Sequence, residues 1–154
     1  MNITVTFNGT TYANFGIDDL RVAGVPDADI NQAVGVELAK QIDDAAEAVY
    51  KIASRFGDEY KAREAAAIAY KTAAYKGDVS SYISSFAQSA GMSNQQATDT
   101  IVAQSVAFRG ALEALGALRM QKFAVRALAE TDVNAAQTKT EQIIAQMRAI
   151  GSQL

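Results

Sequence analysis

Carboxylates are the only catalytic groups this chain carries in number. Its 154 residues include 17 aspartates and glutamates but no histidine and no cysteine. That composition removes disulfides, thiol nucleophiles, the usual zinc ligands and the commonest general base. Asp43, Asp44 and Glu47 crowd one short stretch, and Asp58 and Glu59 follow Gly57. Paired carboxylates can exchange protons with a substrate or hold Mg²⁺, provided they converge in a cleft from different elements. Asp43, Asp44 and Glu47 instead flank Ile42, Ala45 and Val49, as a solvated helix face does. An acid-based hydrolase at Asp58 and Glu59 would need a second carboxylate cluster facing it across a pocket.

Other chemistry has less behind it. Ser80, Ser81, Ser84 and Ser85 have no histidine to activate them and no Ser-x-x-Lys pattern, and they fit the polar face of a short helix. No glycine-rich phosphate loop is present. The tyrosines at 50, 60, 70, 75 and 82 read as hydroxyl-tipped core or interface residues. The expectation is a chain that is not an enzyme and holds no metal or cofactor.

Arg119, Lys122 and Arg126 stand out because they continue the apolar stripe of Ile101, Phe108, Leu112 and Leu115. Within one turn a core face becomes charged. Either the shared core shifts there to Leu118, Val125 and Leu128, or a negatively charged partner surface begins. A formal charge of −3 and a pI near 4.9 argue against nucleic acid as that partner. No basic-then-apolar leader and no run of 18 uninterrupted apolar residues is visible, so no signal peptide and no membrane span are expected.

Helices must position these groups. Leu38, Ile42, Ala45, Val49, Ile52, Phe56, Tyr60, Ala67, Tyr70 and Ala74 recur at intervals of three and four, predicting one long helical run with a kink or short break at Gly57. At 1.5 Å per residue such a run would reach about 55 Å, longer than a small domain is wide. Gly77 is placed as its C-cap. Val79, Tyr82, Ile83 and Phe86 mark a short helix ended by Gly91, and Ser93 with Gln96 has capping-box spacing for a helix from about Asn94 to Ala129. Gly110 and Gly116 inside that helix make sense where another backbone comes close. Thr131 and Asp132 cap a last helix with a near-heptad stripe through Val133, Ala136, Thr140, Ile143, Ile144, Met147, Ile150 and Leu154.

The first residues behave differently. Ile3, Val5 and Phe7 alternate with Thr4 and Thr6 up to Asn8-Gly9, the strongest short hairpin signal, which sets Val5 opposite Tyr12. A lone hairpin is marginal in water, so it needs a third strand, for which Leu20-Arg21-Val22-Ala23 is the candidate, or a helix to lie on. It either caps its own bundle or adds strands to a partner. The predicted architecture is mainly α: residues 1–26 form the hairpin and an extended lead-in, and 27–154 an elongated antiparallel bundle of three to four helices. Since much of the apolar content is alanine, thin interfaces between close helices are expected.

One resemblance adds to this. Asp43-Asp44-Ala45-Ala46-Glu47-Ala48, Arg55-Phe56-Gly57, Tyr60 and Glu64-Ala65 resemble a helical segment of bacteriophage tail and tail-fibre-associated proteins. Phe108-Arg109, Leu112-Glu113, Arg119 and Lys122 resemble its second helix, and Gly24-Val25-Pro26 its lead-in. Two positions depart from the pattern: Ser54-Arg55-Phe56-Gly57 stands where Thr-Pro-Gly is usual, and Phe108 where tryptophan is. The resemblance implies a non-enzymatic structural or adaptor piece of the fibre or baseplate apparatus, made in the host cytoplasm and located in the virion tail. It also allows an assembly chaperone that leaves before the particle is finished. On either reading the partners are other phage tail proteins and further copies of the chain in a homo-oligomer, met through Ile3, Val5, Phe7 and Tyr12 of the hairpin and Arg119, Lys122 and Arg126 of the bundle.

Overall fold

The computed structural model describes residues 1–154. Two strands, β1 (Asn2–Phe7) and β2 (Thr10–Gly16), precede seven helices: α1 (Ile17–Val22), α2 (Asp27–Ser54), α3 (Gly57–Thr72), α4 (Ser81–Ala90), α5 (Asn94–Met120), α6 (Lys122–Ala129) and α7 (Val133–Gly151). Six of these helices have eight residues or more, where three to four were expected. The chain groups into two compact units, Met1–Tyr50 with Leu115–Gln153, and Lys51–Ala114 with Leu154.

The first unit opens with the expected hairpin. Asn8 at φ 50° and Gly9 at φ 76° supply the two positive-φ positions of the turn, and Val5 pairs with Tyr12. Between Val5 and Ile3 the register shifts, so that Ile3 faces Phe15 instead of Asn14. Asn14, at φ 61°, is the extra residue of a β-bulge, and its N–H donates to Thr4 Oγ1 at 3.3 Å. A regular strand puts residues two apart on one face. The bulge instead lets Tyr12 and Phe15, three apart, share a face and meet edge to face at 5.5 Å.

No third strand forms. Leu20-Arg21-Val22 lies in α1, which buries Leu20 completely and leaves Val22 90% exposed. A strand would have put both on one face; the short helix needs to bury only one. Arg21 fixes it, donating to Asp18 at 3.1 Å and to Asp27 at 2.9 Å.

From Pro26, whose carbonyl accepts the N–H groups of Asp29 and Ile30, α2 lays Ile30, Val34, Leu38, Ile42, Ala46 and Val49 into the core. The stripe passes through Ala46 and not Ala45, a drift of one position natural for a period of 3.6. Opposite it lie Leu115 and Leu118 of α5, Val125 and Ala129 of α6, and Ala136, Ile143 and Met147 of α7. The capping Asp132 accepts the N–H of Ala135 at 2.9 Å, and the buried Thr140 hydroxyl is satisfied by Ala136 O at 2.9 Å.

Backbones come closest at glycines other than those expected. A Cβ on Gly35 would lie 3.2 Å from both Arg126 O and Ala129 Cβ, and one on Gly151 would lie 3.0 Å from Val49 Cγ2. Gly110 faces open space, and a Cβ on Gly116 would meet only the Tyr50 hydroxyl at 3.6 Å.

In the second unit the long run divides. Turn residues Arg55 and Phe56 separate α2 from α3, and Phe56 leaves helical geometry at φ −125°, ψ 27°. α3 then ends at Thr72, five residues before Gly77. Ala74 and Tyr75 already take left-handed backbone, at φ 52° and 59°. Two successive non-glycine residues there are costly unless tertiary contacts hold them. Tyr75 is held by its hydroxyl, which donates to Asp99 Oδ1 at 2.8 Å, and by its edge-to-face contact with Tyr70 at 5.9 Å.

The remaining ends follow their sequence signals. Ser93 and Gln96 close the capping box, and Gly91 at φ 64° ends α4 with Met92 N–H on Ala87 O. The core is Ala67, Ile83, Ala87, Ala97 and Ile101, three alanines among five residues.

These contacts separate two glycines of the same helical type. Gly35→Ala is expected to cost about 1–3 kcal/mol, because its methyl meets backbone that cannot yield. Gly110→Ala is expected to gain up to about 1 kcal/mol from helix propensity alone. Chemical denaturation of dilute chain checks both; equal effects would mean Gly35 is not a close-packing position.

Candidate partner-binding surfaces

In the first unit the sequence placed seven residues toward partners. Ile3 and Val5 are 3% and 5% exposed and belong to the core of their own chain. Phe7 and Tyr12 are partly buried, and Arg126 is exposed.

Arg119 and Lys122 have an acidic partner at home. Arg119 Nε donates to Asp43 Oδ1 at 2.7 Å, and Lys122 Nζ donates to Oδ1 at 2.9 Å and Oδ2 at 2.6 Å. The Lys122 side chain is only 16% exposed. Its ammonium and the Arg119 guanidinium hold the Asp43 carboxyl below the usual carboxylate range, with Lys122 the stronger influence. Val125 fully buried and Leu118 at 9% exposure show that the core shifts sideways here. The charged face is the rim that this shift leaves behind.

The same unit carries an open groove of about 620 Å³ between β1 and α2. Its floor is Ile3 and Val5, and its walls are polar: Asn2, Thr4 and Thr6 from the strand, and Asp29, Gln32 and Glu37 from the helix. Val36, 50% exposed, lies among them.

The second unit presents a surface that periodicity assigned to the core. Phe56, Tyr60 and Phe108 form an aromatic ladder, Phe56 to Tyr60 at 6.3 Å and Tyr60 to Phe108 edge to face at 5.8 Å. Phe56 is 48% and Tyr60 39% exposed. Arg55 lies over the Phe56 ring at 5.3 Å and Arg63 over the Tyr60 ring at 5.8 Å. Ile52, Ile68 and Val106 of the same unit are about half exposed or more. The stripe is interrupted at Arg55 and Phe56, immediately before the Gly57 break that the sequence marked.

Asp58 and Glu59 sit in the first turn of α3, where a helix N-terminus favours negative charge, and pair with Lys61 and Arg63. Glu59 borders an open cavity of about 420 Å³ whose other walls are Arg63, Tyr82, Phe86 and serines of α4. No second carboxylate lines it. The stretch Asn94–Ala129 holds an 18-residue window of mean hydropathy 1.3, long and apolar enough to cross a membrane by length and composition, and only 11% of that window is buried. Arg109 within the stretch is ion-paired to Glu64 of α3.

With this geometry in place, the chain can be set beside known proteins. It is 44% identical over 89 residues to the "Uncharacterized 23.3 kDa protein in lys 3'region" of Haemophilus phage HP1. The match covers 58% of this chain and 44% of the phage protein, so the chain spans less than half of that relative's length. No family model matches, and no solved structure does. The similarity supports a phage origin and is silent on tails or fibres.

Asp43→Asn tests the rim. Because the folded state lowers the Asp43 pKa, its contribution is present above the unfolded value near 4 and is lost as pH falls through the folded value. With the side chain 35% exposed and therefore screened, the loss at neutral pH is expected to be about 1 kcal/mol. Denaturation from pH 7 down to pH 2 is expected to show wild type and variant converging below about pH 4. A constant gap would remove the carboxylate from the account.

Proposed function

We propose that the chain is a non-enzymatic structural or adaptor component of a bacteriophage tail, working in several copies through protein contacts. The phage relative supports the first half of this reading. The observation that carries the second half is the aromatic ladder of the second unit: Phe56, Tyr60 and Phe108 with arginine stacked on two of the three rings, Phe56 and Tyr60 well exposed to solvent. Aromatic residues and arginine dominate binding energy at protein interfaces, and a core made largely of alanine buries little area per residue. A surface of this kind gains most by meeting another subunit. A homo-oligomer would present the same ladder from each copy. The second reading, a tail-assembly chaperone, uses the same ladder transiently.

Light scattering and a ladder variant test the contacts, and mass spectrometry separates the two readings. Light scattering of the purified chain at micromolar concentration is expected to give a mass above 16.3 kDa. Tyr60→Ala, with unchanged circular dichroism, is expected to weaken self-association by about 2 kcal/mol, roughly thirtyfold. A strict monomer whose ladder variants behave as wild type would overturn the contact reading. Quantitative mass spectrometry of purified particles of the encoding phage is expected to find the chain at stoichiometric copy number; its absence from them would select the chaperone.

A further inference from the structure

We propose that the groove between β1 and α2 binds an extended, lysine- or arginine-bearing segment of another protein as an additional strand on β1. The proposal deepens the contact reading above by naming the chemistry of one partner, and it uses a different surface from the aromatic ladder.

The sheet has two strands only, so β1 has a free edge. In a hairpin with a two-residue loop the residues flanking the turn, here Phe7 and Thr10, form a hydrogen-bonded pair, and so does Val5 with Tyr12. The backbone groups of the alternate residues Thr4 and Thr6 therefore point outward and have no strand to meet. Over Asn2–Thr6, at about 3.4 Å per residue, this edge runs about 17 Å. Such edges are templates for strand addition unless something blunts them, and β1 carries no lysine and no proline.

The groove fits an added strand on its side-chain layer as well. Residues of that strand facing inward would lie on Ala33 and the half-exposed Val36 of α2. Asp29 and Glu37 supply two carboxylates to the lining, and no lysine or arginine lines it. Glu37 receives a hydrogen bond from Gln41 Nε2 at 3.2 Å and feels the charge of Lys40, whose ammonium is bonded to Asp44 instead. A segment bearing cations completes this arrangement. A second copy of β1 does not: NITVTF has no charge to offer, and it would bring a second pair of acids from its own helix.

The test uses the full chain, labelled with ¹⁵N, and the capped heptapeptide Thr-Lys-Thr-Val-Thr-Lys-Thr, which turns both lysines and the valine between them to the α2 side. Binding is expected to shift and protect the amides of Thr4 and Thr6. N-methylation of alternate peptide nitrogens and Thr6→Pro, which deletes an outward donor and leaves the ladder to β2 intact, are each expected to weaken binding at least tenfold. Asp29→Lys with Glu37→Lys is expected to reverse the preference to the Glu-for-Lys peptide.

Equal binding of the N-methylated peptide would show charge attraction without strand pairing and overturn the proposal. So would protection of the Thr4 and Thr6 amides in a dimer without peptide, which would give the edge to a second copy. A chain found in particles that ignores the peptide defeats this inference alone. A chain that binds the peptide but is absent from particles defeats only the structural role.

Discussion

Small side chains are the constraint on which the rest depends. Alanine buries little surface, so helices that meet through it gain enough only by approaching until backbones touch. Gly35 against Arg126 and Ala129 is that approach in the first unit, and Gly151 against Val49 repeats it. Larger residues of α2, Ile30, Leu38 and Ile42, then fill the space around the close contact. The second unit has the same alanine economy around two buried isoleucines, Ile83 and Ile101, with Tyr70 and Phe86 packed at their edge.

Closeness also dictates where charge goes. When α5 gives way to α6 around Gln121, the inward face rotates to Leu118 and Val125, and the positions it vacates carry long cations. Lys122 and Arg119 return over the surface to Asp43, which converts a discontinuity in the apolar stripe into a clasp between α2 and the α5–α6 turn. The Lys71, Tyr75 and Asp99 cluster does similar work in the second unit, holding a left-handed turn that alanine and tyrosine would not choose alone.

What the sequence made legible was local. Asn8-Gly9, Ser93 with Gln96, Asp132 and Gly91 each act through bonds to residues at most five positions away, and each appears where the pattern put it. The failures all involve distant partners or a sum of small effects. Nothing around Arg119 points to Asp43, 76 residues earlier, so the sequence could favour a shift of the core there without naming the partner of the charges. Periodicity carried Phe56 and Tyr60 into a core because it presumes an unbroken helix, and the turn at Arg55 and Phe56 breaks it; Phe108, partly buried on α5, completes the ladder from another element. Leu20 and Val22 looked like strand residues until burial distinguished them. Of the candidate surfaces, the hairpin was visible and the ladder was not.

The bulge at Asn14 has a further meaning for how this chain can change over generations. Because β2 already holds one surplus residue, gain of a single codon between Tyr12 and Phe15 would turn Phe15 away from Tyr12 and leave Ile3 without its cross-strand ring, whereas loss of Asn14 would restore a regular ladder with Phe15 still opposite Ile3. The spacing between Tyr12 and Phe15 is thus limited against growth. Insertions are better absorbed after Tyr75, in the irregular stretch 76–80 that belongs to no ladder.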